Sequence, residues 1–233
     1  MTNRAALAEL TGEIVACRRC PRLVEWRERV AREKVARFRD ETYWGRPVPG
    51  FGDPDARILI VGLAPAAHGG NRTGRVFTGD ASGDFLFAAM HAVGLADRPA
   101  SRRADDGLTL LDAYVAAAVR CAPPANKPLP SERDNCAPFL ARELRLLDRA
   151  RVLLPLGAYA WDAAFRAIAA TTGDDRRPRP RFGHGAEATV GRYAVIGSYH
   201  PSQQNTFTGR LTESMLRDVL HQAVHLSAGR RGA

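Results

Sequence analysis

The stretch RILIVGLAP (residues 57–65) is an apolar, β-branched run that Gly62 and Pro65 interrupt. Such a run predicts a buried strand with a functional loop at its carboxyl end. Three further runs predict strands of the same kind, and helix formers follow each of them. They are AYVAAAVRC (113–121), RVLLPLG (151–157) and YAVIGSYHPS (193–202), the last of which includes its loop.

This alternation of strand, loop and helix predicts an α/β fold. We expect residues 1–233 to form a single-domain three-layer α/β/α sandwich around a central four-stranded parallel sheet. Residues 1–40 should form a helical N-terminal part, and residues 228–233 a frayed tail. Ligands of such sheets bind at the carboxyl ends of the strands. The loops expected there are 62–80, 120–130 and 199–210.

The composition of the 233 residues is that of a globular domain, with 45% hydrophobic and 25% charged residues. These values exclude disorder for most of the chain. No segment has the roughly 18 apolar residues of a membrane span, and the N-terminus has no apolar signal core, so we expect a cytoplasmic protein. The 34 Lys and Arg exceed the 25 Asp and Glu, which gives a charge of +9. That excess indicates either a polyanionic partner or simply a well-solvated surface.

Four cysteines suggest a metal or redox role in a cytosolic chain: Cys17, Cys20, Cys121 and Cys136. Four thiolates hold either Zn²⁺ or a [4Fe–4S] cluster, and the spacing does not decide between them. Buried free thiols are the alternative. Three nearby cations, Arg18, Arg19 and Arg120, would offset the negative charge of a thiolate-bound cluster.

The loop GLAPAAHGGNRTGRVFTGDASG (62–83) directly follows the first predicted strand and carries six glycines. Short side chains let a backbone approach a ligand closely. The loop matches neither G-x-G-x-x-G nor a Walker motif, so a dinucleotide or ATP site is excluded. The alternative is a flexible surface loop, which is disfavoured because the segment directly follows a buried strand.

This loop, HPSQQNTFTGRLT (200–212) and the cysteine spacing together resemble the uracil-DNA glycosylase superfamily. The resemblance runs from about Cys17 to Leu226 and is strongest to family 5, the iron–sulfur branch of bacteria and archaea. It implies the fold of that superfamily, a bound [4Fe–4S] cluster, and hydrolysis of the N-glycosidic bond of a flipped base in base excision repair. The implied partner is DNA that contains uracil or other damaged bases, and we expect the enzyme to act as a monomer.

The resemblance also assigns roles around the base. His200 would donate a hydrogen bond to the departing base, Phe77 would stack on it, and backbone N–H groups of residues 62–64 (Gly62, Leu63, Ala64) would read its carbonyls. Leu63 and Ala64 cannot act as a base, so Asn71 and Asp80 become the candidates for positioning water and stabilising the cationic sugar. Asp80 is equally suited to capping the helix that begins near Ser82.

A departure from family 4 concerns substrate choice. In family 4 enzymes an asparagine that lies ahead of the second-strand cysteine recognises the edge of uracil. This chain has alanines at 116–118 instead, and Ala117 would lie beside the nucleobase. Without that polar group strict uracil selection should weaken, which extends the expected substrates to hypoxanthine and ethenocytosine. Lys127 is the one lysine in the motif loops, so Schiff-base chemistry lacks an obvious nucleophile and we expect a monofunctional enzyme.

The loops also supply candidates for contact with the DNA backbone and the vacated base stack. Residues after the HP-x motif enter that stack in the superfamily, and phosphate contacts come from cations and hydroxyls. The DNA-binding candidates are His68, Arg72, Arg75, Ser202, Gln203, Gln204, Asn205 and Arg210. Arg176, Arg177, Arg179 and Arg181 crowd one further loop. A non-catalytic iron–sulfur or zinc nucleic-acid-binding module, which would need neither His200 nor the first loop, is the competing hypothesis.

Overall fold

The computed structural model describes residues 2–175 and 178–229. The chain begins with two helices, α1 (Asn3–Ala16) and α2 (Pro21–Glu33), and then alternates between strands and helices. The strands are β1 (Phe51–Gly52), β2 (Ile58–Gly62), β3 (Ala113–Ala117), β4 (Val152–Pro155), β5 (Glu187–Val190) and β6 (Tyr193–Ile196). The further helices are α3 (Gly70–Thr73), α4 (Ala81–Ala92), α5 (Pro130–Leu146), α6 (Ala158–Thr172), α7 (Gln203–Phe207) and α8 (Glu213–Gly229).

The sheet has the order β1-β3-β2-β4-β6-β5. Its centre consists of the four predicted strands, β3, β2, β4 and β6, all parallel to their neighbours. The predicted strand number is wrong, because antiparallel β1 and β5 extend the sheet at its two edges to six strands. The sheet is therefore mixed, although the α/β class is confirmed.

Alternate residues of β2 explain the layered architecture. Ile58 and Ile60 point into one core, which α4 and α8 cover, while Leu59 and Val61 point into a second core under α5 and α6. All four side chains are fully buried. A strand covered by helices on both faces reads as a continuous apolar run, which is the pattern that this segment shows.

The two ends of the chain are helical. Helix α1 packs against α5 through Leu10, Ile14 and Phe139, so the N-terminal part is joined to the domain by its own apolar cluster. Helix α8 continues to Gly229, so Ala228 and Gly229, which were expected in a frayed tail, are helical. Residues 230–233 of that tail lie outside the described residues. Within the described part of the chain, no helix is both long enough and apolar enough to cross a membrane.

Candidate active site and cysteine centre

A cavity of about 300 Å³ opens at the carboxyl ends of β2 and β6. Its lining comes from the loop after β2, from the start of α4, from the loop after β3 and from the loop after β6. The lining residues are Leu63, Ala64, Ala66, Val76, Phe77, Asp80, Ser82, Asn126, His200 and Ser202. The three loops predicted to meet at this edge of the sheet therefore do so, as the parallel topology requires.

Phe77 closes one side of the cavity in a strained conformation. Its φ is +53°, which is rare for a residue with a side chain, and the ring is only 7% exposed. Gly62 makes room for it, because a Cβ at that position would lie 2.8 Å from the Phe77 ring. The ring centroids of Phe77 and His200 are 5.7 Å apart. The two side chains predicted to contact the base thus lie side by side.

His200 follows β6 and is held by its own backbone, since its carbonyl accepts a 2.8 Å hydrogen bond from Nδ2 of Asn205. Burial lowers the pKa of His200 to about 4. Its imidazole is therefore neutral near neutral pH. A neutral imidazole still offers one N–H donor to the cavity, and such a donor bonds strongly to an acceptor that carries negative charge.

Asp80 caps a helix and also lies in the lining of the cavity. Its Oδ1 accepts a 2.9 Å hydrogen bond from the Gly83 N–H and caps α4, while the residue lines the cavity. Its other oxygen lies against the backbone of Gly69, where a Cβ would be 2.0 Å from Oδ2. Burial raises the pKa of the Asp80 carboxyl. The carboxylate is thus fixed in position and more basic than an exposed one.

Asn126 is a cavity residue that the sequence reasoning did not single out. It stands in the loop after β3, where Ala125 and Asn126 both have positive φ, +52° and +56°. Two consecutive left-handed residues with side chains are unusual and point to a functional constraint. The signal available in the sequence was the position of this loop at a strand end.

Three predicted cavity residues point elsewhere. Asn71 is 1% exposed, lies outside the cavity, and donates through Nδ2 to the carbonyl oxygens of Arg27 (3.2 Å) and Ala67 (3.4 Å). Ala117 is fully buried in β3 and does not line the cavity. Gly62 is the last residue of β2 and is likewise absent from the cavity lining.

The two arginines of the first loop, which were predicted to contact phosphates, make hydrogen bonds within the protein. Arg72 donates to the carbonyls of His68 and Gly79, both at 2.8 Å, and lies over the Phe38 ring. Arg75 donates to Ser101, Asp106 and the Ala104 carbonyl. Each is 7% exposed. Their cationic groups are bound by the protein's own acceptors.

The other DNA-binding candidates lie at the surface around the cavity. Ser202 lines the cavity, Gln203 and Gln204 are exposed on α7, and Arg210 lies 4.6 Å from the Tyr199 ring centroid. Phe207, at the end of α7, is 80% exposed and was missed by the sequence reasoning.

His68 occupies a neighbouring cavity of about 380 Å³ that shares Ala66, Asp80 and Asn126 with the first. Its Nδ1 is 3.1 Å from the Tyr43 hydroxyl, and burial lowers its pKa. In the predicted basic loop Arg179 pairs with Asp162 and Asp175, which removes it from the free cations. Arg176 and Arg177 lie outside the described residues.

The cysteines come together at the other side of the loop after β2. All four are free and line one cavity with Arg27, Arg120 and Phe139. Arg27 donates to Cys121 Sγ at 2.9 Å, and Asn135 donates to Cys20 Sγ at 3.4 Å. Burial raises the pKa of Cys121 to about 12, so an unligated thiol here stays protonated. Reactive-thiol chemistry is therefore disfavoured.

The sequence left open whether the four thiols hold Zn²⁺ or a [4Fe–4S] cluster. Across residues 2–175 and 178–229, no three His, Cys, Asp or Glu side chains are grouped as the ligands of one ion. A zinc ion, with bonds of about 2.3 Å, needs four sulfurs drawn closely together. Four cysteine thiolates also hold a [4Fe–4S] cluster, so the donor set suits either group.

The sequence is similar to one family of enzymes along most of its length. The family model described as "Uracil DNA glycosylase superfamily" matches residues 49–223. The type-5 uracil-DNA glycosylase of Thermus thermophilus is 53% identical over 216 residues, covering 92% of this chain and 95% of that protein. That of Mycobacterium tuberculosis is 52% identical over 224 residues, covering 95% and 82%. A type-4 enzyme of Archaeoglobus fulgidus is 27% identical over 198 residues, covering 84% and 82%.

Proposed function

Because the chain belongs to the uracil-DNA glycosylase superfamily, as its motif loops predicted, we propose that it removes uracil from DNA in base excision repair. The observation that carries the proposal is the cavity that His200, Asp80, Asn126 and Phe77 line together. The base would leave the duplex and enter this cavity, because the glycosidic bond cannot be reached inside the stack.

His200 acts on the base side of the N-glycosidic bond, while Asp80 and Asn126 act on the sugar side. As the bond between N1 and C1′ breaks, its electrons move into the uracil ring, and the neutral His200 donates a hydrogen bond to the carbonyl oxygen that gains the charge. Water adds to C1′ of the cationic sugar. Asp80 stabilises that cation and accepts a proton from the water, which its raised pKa favours. The Asn126 amide orients the water, and the mechanism is largely dissociative.

The walls of the cavity support a broader choice of base. Leu63, Ala64 and Val76 contribute apolar surface, and β3 contributes no side-chain amide to the cavity. Stacking on Phe77 and hydrogen bonds from the loop backbone suit several bases. We therefore include hypoxanthine and ethenocytosine with uracil among the substrates.

The four cysteines fit a [4Fe–4S] cluster as the resident cofactor. The donor set is four thiols that line one cavity, and two N–H groups donate to their sulfurs. Such a cluster would supply structural cross-linking between α2, the loop after β3 and α5. It takes no part in bond cleavage, since the reaction needs neither a metal nor electron transfer.

DNA would bind across the open side of the cavity, with α7 and Arg210 facing it. Gln203 and Gln204 follow His200 and would occupy the space that the flipped base vacates, while Asn205 holds the His200 carbonyl. We propose that the protein acts in the cytoplasm as a monomer and does not cleave the strand, since Lys127 does not line the cavity.

The test is base release from oligonucleotides that contain uracil, hypoxanthine or ethenocytosine, with His200→Ala beside the unchanged protein. We expect release of all three bases, and His200→Ala should lose it by about 10²–10³-fold while retaining DNA binding. Binding without release by the unchanged protein would favour the non-catalytic module. Release of uracil alone would refute the broad substrate range. Absorbance near 400 nm with bound iron tests the cluster, and a colourless zinc protein would refute it.

A further inference from the structure

Arg27 on α2 is a buried cation that contacts the cysteine centre directly. Its side chain is 2% exposed, and Nη1 donates to Cys121 Sγ at 2.9 Å. Both Nη atoms also lie 3.4 Å from the Cys17 carbonyl oxygen. One guanidinium therefore bridges two of the four cysteines, which belong to distant parts of the sequence.

The main chain of the same residue contacts the first loop. Asn71 of α3 donates through Nδ2 to the Arg27 carbonyl oxygen at 3.2 Å. Among the described residues, Asn71 Oδ1 and Arg27 Nε are buried without a hydrogen-bond partner. Leaving such atoms unpaired is unfavourable, which indicates that the two side chains are held in these positions for the contacts that they make.

Helix α3 carries the connection on to the cavity. Arg72, the next residue, donates to the Gly79 carbonyl at 2.8 Å, directly before Asp80. Gly69, which precedes α3, lies against the Asp80 carboxylate so closely that a Cβ would be 2.0 Å from Oδ2. The position of α3 therefore sets the position of the carboxylate from two sides.

We propose that Arg27 and Asn71 are positioning residues that join the cysteine centre to Asp80 through α3. The bound cluster fixes the Arg27 guanidinium, Arg27 fixes Asn71, and α3 then holds the Asp80 carboxylate at the sugar. This inference depends on the proposed cluster and glycosylase activity, and it gives the cluster a function in the geometry of the active site.

The test compares three variants of the iron-loaded protein by amide hydrogen exchange over residues 66–80 and by single-turnover base release. Asn71→Ala should keep its iron and visible spectrum, exchange roughly tenfold faster in this segment, and lose base release with little change in DNA binding. Arg27→Met should exchange faster in the same segment. It should also have a changed reduction potential, because a hydrogen bond to a ligand sulfur is lost.

Asn135→Ala is the matched control. It removes an amide that donates to Cys20 Sγ and has no hydrogen bond to the first loop among those of the described residues. Its exchange over residues 66–80 and its base release should equal those of the unchanged protein. Where Arg27→Met does not take up iron, Arg27→Lys keeps a cation and is measured in its place.

Arg27 variants with a shifted potential but unchanged exchange over residues 66–80 would overturn the inference alone. Equal effects of Asn71→Ala and Asn135→Ala would also overturn it, since that result would reflect general loosening. An unchanged protein without iron would overturn it together with the cluster, while uracil release would still stand.

Discussion

The proton state of His200 gives the sharpest quantitative expectation. Its pKa is about 4, whereas an exposed histidine has about 6.5. At pH 5.5 such a group is about 3% protonated, while an ordinary histidine would be about 90% protonated. The leaving-group donor should therefore stay neutral across the whole range in which other histidines gain a proton.

The assay is the single-turnover rate of uracil release from pH 8 to pH 5.5 for the unchanged protein and for His200→Gln. Glutamine offers an N–H donor that does not titrate, so the ratio of the two rates removes the contribution of Asp80 and every other group. We expect this ratio to be constant. A ratio that changes with a midpoint near pH 6.5 would refute the assignment of a neutral, buried imidazole.

Protein stability provides a second readout of the same group. The unfolded chain binds a proton at His200 below pH 6.5, but the folded chain does so only below about 4. Folding stability is therefore lost as the pH falls between these values, by about 3 kcal/mol in total. His200→Gln should lack this part of the decline, as urea unfolding at pH 7 and pH 4.5 would measure.

Three further outcomes follow from the contacts around the cavity and the core. Asp80→Asn should slow base release and raise the melting temperature at pH 7. Because the pKa of this carboxyl is raised in the folded protein, the carboxyl ionises less readily there than in the unfolded chain, and folding stability falls as the pH rises through that pKa. Gly69→Ala should slow release by displacing the Asp80 carboxylate, while Gly12→Ala, with nothing within 4 Å of its Cβ, should keep full activity and gain about 0.5–1 kcal/mol in urea unfolding. Glu143→Ala should lose about 3–5 kcal/mol, measured in the same way, because it leaves the Arg120 guanidinium unpaired at 1% exposure; a loss below 1 kcal/mol would contradict the importance of this pair.

The central sheet was predictable because its strands are buried on both faces. Each of the four reads as an apolar run without reference to the rest of the chain. The edge strands were not, since β1 is two residues within a Gly- and Pro-rich segment and β5 has the polar sequence EATV. Both are strands because they form backbone hydrogen bonds with a neighbouring strand, β3 for β1 and β6 for β5.

Residues of the candidate site were predictable where the motif loop that contains them also lines the cavity, as is the case for His200, Phe77 and Asp80. They were not predictable where the partner is distant. Arg75 forms an ion pair with Asp106 and a hydrogen bond with Ser101, some thirty positions along the chain, and Arg27 donates to Cys121, ninety-four positions away. The place of Asn126 in the cavity was not predictable either, because its left-handed backbone depends on the loop that surrounds it.

The internal bonds of Arg72 and Arg75 have a consequence for how a nucleotide is received. Before any DNA arrives, Arg72 joins two parts of the glycine-rich segment by its bond to Gly79, and Arg75 ties the segment to Ser101 and Asp106. A segment with six glycines would otherwise lose much conformational entropy on enclosing a base. With the arginines in place the loop around the cavity is preorganised. The binding free energy is then available for extracting and orienting the nucleotide, because little of it is needed to order the protein.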